Sequence, residues 1–329
     1  MMRARLAFSL LIALAACGHK DKPPTAKKSG SILTALLTAA DGEKAPWRCA
    51  ALDTPELPDE DLGHGWKAHA HSLTRDVTDV TIGVIADAGG DAAKTLAALG
   101  RLRAQLDSAK PDLVIALGGM GHDAKQIAAT LGTVSDHAEW PVVALPGDLE
   151  PASAQTEAIA TLRKRGAPVL DGRLVRWMQI GGATIATIPG AGARERLAAG
   201  DEGCGWTAAD VAAVVGELTG RPGLRVLVTA EAPRGMTGVD RRGTPAGEAT
   251  GELALVAPQP VDLAVHAPGG AVGAASPAAH GGRDGAKVRL TPGTADATTR
   301  LPDAHAPSAG VLVIRGNSWT WKPLVDSGT

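Results

Sequence analysis

From residue 79 onward, short apolar runs recur, each closed by a turn that often bears glycine and followed in places by a helical pattern. The runs span 80–86, 112–117, 141–145, 183–188, 224–230, 261–266 and 310–315. Most are continuous rather than alternating, which marks strands covered on both faces. Between the first two runs, Leu96, Leu99, Leu102 and Leu106 fall on one helical face. Ala152 to Arg165 reads as another helix, and Thr207 with Asp210 three residues on reads as a capping box opening a helix over 208–218. Strands alternating with helices early, and further strands late, predict an α/β layered domain.

The chain has 329 residues, enough to bury one large core or two modest ones. Its formal charge of -2 gives no phosphate-tracking surface, and no nucleic-acid-binding signature occurs. Tyr is absent and Asn317 is the only asparagine, so there is almost no Asn to place at a ligand position.

The N-terminus has a short basic start, an apolar stretch over Leu6 to Ala16 too short to span a bilayer, and the sequence Leu-Ala-Ala-Cys-Gly at 14–18. This resembles a bacterial lipoprotein signal. Residues 1–16 would be removed, and Cys17 would be acylated and held in the lipid bilayer. Gly18 resembles outer-membrane sorting. Residues 17–45, rich in Lys, Pro and Ser, read as a flexible tether, with a short helix expected over Leu33 to Ala39. Export implies an oxidising compartment, where the remaining Cys49 and Cys204 would pair; two free thiols are the alternative.

Residues 46–78 read as an N-terminal extension packing on the main domain, 79–329. Within the extension, His64, His69 and His71 are a candidate metal cluster or, as we expect, an exposed and loosely ordered segment. The Gly/Ala/Pro-rich stretches 235–251 and 268–286 read as long surface loops. Trp319 and Trp321 alternate on a last strand, where edge packing accounts for them.

The strand ends carry "GVIADAGG", "PDLVIALGGMGHD", "PVVALPGDLE", "VLVTAEAPR" and "VDLAVHAPGG", in that order. This order resembles the calcineurin-like metallophosphoesterases, whose strand ends carry D-x-H, G-D, G-N-H-[DE], a lone His and G-H-x-H. The resemblance covers about 78–325. It implies two packed β-sheets flanked by helices, in α-β-β-α layers, with two metal ions at the strand ends.

The residues at those positions depart from the pattern. Asp87 keeps the first carboxylate, but Gly89 stands for the His beside it and Gly119 for the Asp that bridges the ions. Asp148 replaces the Asn and Leu149 the following His, while Ala230, Pro268 and Gly270 replace the remaining imidazoles. Glu150 survives, and in the family it supports the loop without ligating. Two readings follow. One is a non-catalytic envelope lipoprotein that binds or scaffolds an unidentified envelope protein or ligand, with no cofactor. The other is a divergent phosphoesterase holding Mn or Zn at a rebuilt, single-metal site assembled from Asp87, Asp148, His122, Asp123 and His266.

Overall fold

The computed structural model describes residues 47–192, 197, 202–231, 261–267, 278–281, 288–292, 295 and 306–328. The signal, Cys17, the tether with its expected helix, the loop 235–251, Pro268 and Gly270 lie outside these residues.

The strands, in chain order, are β1 (Trp47–Arg48), β2 (Leu57–Gly63), β3 (Trp66–Ala70), β4 (Ser72–Arg75), β5 (Asp79–Ala86), β6 (Leu113–Leu117), β7 (Val142–Leu145), β8 (Val169–Asp171), β9 (Trp177–Ile180), β10 (Ala183–Ile188), β11 (Cys204–Gly205), β12 (Leu224–Thr229), β13 (Leu263–His266), β14 (Ala278–Gly281), β15 (Val288–Thr291), β16 (Ser308–Arg315) and β17 (Ser318–Val325). The helices are α1 (Ala93–Ala109), α2 (Ala124–Ser135), α3 (Ala152–Lys164) and α4 (Ala208–Thr219). One sheet has six strands in the order β17-β16-β5-β6-β7-β8, and the other has nine in the order β14-β15-β13-β12-β10-β9-β4-β3-β2.

The two sheets pack face to face, with α1–α3 outside the smaller and α4 outside the larger. Strand patterning explains the layering. Along β5, Val80, Ile82 and Val84 face the core between the sheets, where Leu113, Ile115, Val226, Val228 and Leu263 meet them. Ile85, Val114 and Val142 face the other way, against Leu99, Leu102, Leu106, Ile127 and Leu131 of the helices. On the far side, Ile188, Leu227 and Ala264 pack against Val211, Val214 and Leu218 of α4. The continuous apolar runs are therefore apolar because both faces of each strand are buried. This is the two-sheet, helix-flanked α/β architecture that the sequence predicts.

Three local expectations change. Residues 57–75 do not merely pack on the domain. They form an antiparallel meander of which β4 pairs in parallel with β9, so they complete the larger sheet. The histidine segment is likewise ordered. Trp66 and Leu73 are fully buried there, because the alternate residues of β3 and β4 turn inward while Lys67 and His69 turn out. The stretch 268–286 is interrupted by β14, which pairs with β15.

The disulfide between Cys49 and Cys204 forms as expected, with Cα atoms 5.5 Å apart. It joins β1 and β11, which pair in parallel as a separate two-stranded strap. Thr207 and Asp210 make the expected capping box at the start of α4. Arg48 of the strap reaches the Asp210 carboxylate, its Nε 3.4 Å from Oδ2. Burial pushes the Asp210 carboxyl up, but Arg48 and the Thr207 amide and hydroxyl together hold it below the usual range. Beneath the strap, the fully buried Arg176 donates to the carbonyl oxygens of Cys49, Ala51, Val175 and Arg173.

Candidate functional site

Parallel strands β5, β6 and β7 end side by side, and their C-terminal turns build one surface. The first turn places Asp87 in the left-handed region, at φ 49°. Its amide is 3.0 Å from the Gly118 carbonyl oxygen, and the Gly89 amide is 2.9 Å from that of Gly119, so the turns after β5 and β6 are laced together. The second turn runs through Gly118 and Gly119, both at positive φ. The third is the Pro-Gly turn after β7. It packs so closely that a Cβ on Gly118 would stand 3.0 Å from the Cα of Gly147. Gly190, after β10, donates its amide to the Pro146 carbonyl at 2.7 Å and ties the larger sheet to the same edge.

Glu150 fastens the turns from within. It is buried, its Oε2 accepts the Gly147 amide at 2.8 Å, and its Oε1 accepts the Met120 amide. Burial raises its carboxyl to about 7, against the two amide bonds that favour the charged form.

The five candidate metal ligands are not gathered. Asp87 and Asp148 are half-buried at the ends of β5 and β7. Asp123 caps α2, its Oδ1 accepting the Gln126 amide at 2.8 Å, and His122 is exposed beside it, its own amide bound by the Gln126 side chain. His266 is buried at the end of β13, with Nδ1 2.8 Å from the Ala267 carbonyl oxygen, so that nitrogen carries the proton. Among the described residues, no group of three or more His, Cys, Asp or Glu is close enough to hold a metal ion. His64, His69 and His71 form no such group either: His69 contacts Asp59 at 2.7 Å, and His71 faces the Leu174 carbonyl.

The position expected for the bridging carboxylate is also filled. A Cβ built on Gly119 would lie 2.6 Å from both Cα and Oδ1 of Asp87. This turn lies tight against its neighbour, so these residues do not fit a pair of metal ions. Helix α2 was missed in the sequence, although Asp123 with Gln126 three residues on is a readable capping signal. Arg176 was missed too, since one arginine in an apolar stretch does not announce a buried network.

No family model matches the sequence, and no curated protein matches it. Solved structures do match by shape. One superposes with TM-score 0.50 at 12% identity, covering 76% of this chain and all 100% of its own. A dimetal phosphatase from Danio rerio superposes with TM-score 0.45 at 10% identity, over 75% of this chain and 99% of its own. A purple acid phosphatase from yellow lupin seeds gives TM-score 0.47 at 11% identity, over 79% of this chain and 55% of its own. At such identities the likeness is one of fold.

Proposed function

Starting from a chain whose fold is that of the calcineurin-like metallophosphoesterases, we propose that it is a non-catalytic lipoprotein of the cell envelope, held by acylated Cys17, whose domain binds or scaffolds another envelope component. The observation that supports its non-catalytic part is the contact between Asp87 and Gly119. A two-metal phosphoesterase uses closely spaced cations to lower the pKa of a water and to clamp the phosphate. The spacing comes from a bridging carboxylate, and here the place of its Cβ is taken by Asp87. Gly89 and Ala230 add no imidazole, and Leu149 no proton donor.

A phosphoric ester hydrolase with a rebuilt single-metal site is the second reading. Asp87 and Asp148 favour it, because both remain half-buried carboxylates at the strand ends. The deciding assay adds Mn or Zn to chelator-stripped protein with aryl phosphomonoester and diester substrates. The non-catalytic reading expects less than one bound ion per chain and no turnover above a buffer blank. Metal-dependent turnover that disappears in the Asp87→Ala, Asp148→Ala double variant would establish the second reading.

A further inference from the structure

At the opposite edge of the smaller sheet, before β6 and β7 begin, lies a cavity of about 610 Å³. Arg75, Arg103, Lys110 and Trp140 line it, with His64 and His137 at its rim. We propose that this cavity binds a small ligand through an oxyanion group, a carboxylate or a phosphate or sulfate.

Two independent observations lead there. The first is a one-sided shortage of acceptors. Arg75 Nε, Arg103 Nε and Trp140 Nε1 are buried N–H donors with no hydrogen-bond partner among the described residues, and the three residues that carry them line this cavity. No buried acceptor of the wall is in the same position. Buried polar groups are almost always paired, so three unpaired donors in one wall call for an acceptor oxygen. Each guanidinium is also carried on an indole: Arg75 lies 5.7 Å from the Trp66 ring centroid and Arg103 5.9 Å from that of Trp140.

The second observation is backbone strain. Of the five non-glycine residues at positive φ among the described residues, His64, Lys110 and His137 all border this cavity. Strained conformations of this kind gather at binding sites, where surrounding structure holds them.

The acids of the cavity do not cancel the argument. Asp112 is engaged by Arg75 and by the Thr81 amide, and Asp107 faces Arg103 at 3.5 Å. Lys110 then balances Glu139, and the unpaired donors decide the sign. Planar guanidinium groups suit oxyanions because they offer parallel N–H bonds. The site is separate from the strand-end surface and does not depend on whether that surface is catalytic.

The test titrates the purified full-length protein with inorganic phosphate, sulfate and citrate, following the Trp140 indole N–H and the arginine Nε–H resonances. We expect saturable shifts at Trp140 with at least one of the three, and the preferred probe tells phosphate or sulfate from carboxylate. Arg103→Gln should weaken that binding by roughly tenfold or more. Lys110→Ala, at an exposed helix end, should weaken it too and serves if Arg103→Gln does not fold. Lys322→Ala, a cation outside the cavity, should leave it unchanged. The proposal is overturned by no saturable shift with any probe, by binding indifferent to both cavity variants, or by equal loss in Lys322→Ala.

Discussion

Arg176 donates its Nη2 hydrogen to the carbonyl oxygen of Cys49, so the disulfide strap is fastened from inside the sandwich as well as through its sulfurs. Burial lowers the guanidinium of Arg176 to about 10, yet leaves it charged at any physiological pH. Its bonds to backbone carbonyls offset part of the cost of burying that charge.

The strap should therefore yield to two different lesions. Replacing Cys49 and Cys204 by Ser is expected to lower unfolding stability by about 2–5 kcal/mol. Arg176→Met, which leaves several buried carbonyls without a donor, should cost a similar amount, on the order of 3 kcal/mol. Because both act on one segment, their combination should cost less than the sum. Urea unfolding of the four proteins measures this, and strictly additive losses would separate Arg176 from the strap.

Glu150 should make stability depend on pH in a particular direction. Its carboxyl titrates near 4.5 in an ordinary environment and about 7 in the folded chain. Across that window the folded state binds more protons than the unfolded one. Its contribution to stability is thus lost as pH rises from about 4.5 to about 7 and is level above that. Relative to the native chain, Glu150→Gln should gain on the order of 3 kcal/mol between pH 4 and pH 8. A stability difference between the two proteins that does not change with pH would refute the raised carboxyl.

Restoring the missing carboxylate should not restore a metal site. Gly119→Asp puts a Cβ against the backbone of Asp87 at a residue held at φ +64°. We expect a loss of about 2–4 kcal/mol and no gain in Mn or Zn binding. Metal bound stoichiometrically by a stable Gly119→Asp protein would show that the turn can reopen.

The proposed anchoring would rest on Cys17. Cys17→Ser should leave the precursor unprocessed or release the protein from membranes. Normal processing together with unchanged membrane fractionation would rule out the lipoprotein reading.

The parallel strands were legible because each is apolar on both faces, and β10 coincides with the predicted 183–188 run. The meander β2–β4 was not. Its outward residues are Lys, His, Asp and Glu, and only Leu57, Trp66, Ala68 and Leu73 turn fully inward, a sparse alternation that resembles a polar loop. At the strand ends, the departures from the pattern at residues 89, 119 and 230 could be read directly as residue types. The fate of the nearby candidates could not, because closeness in sequence to a strand end does not fix where a side chain goes. Asp123 went to cap a helix, and His266 faces the backbone carbonyl that follows it.

The bond between Cys49 and Cys204 also changes the chain's connectivity, because it turns the 155-residue span between them into a closed covalent ring. That ring contains β2–β10 and α1–α3, whereas β12, β13, β16 and β17 hang from it as a tail and complete both sheets from outside. A protease cut anywhere inside the ring would open it without releasing a piece. Under non-reducing conditions the cleaved protein would still migrate as one covalent molecule, so a copy nicked once would stay whole.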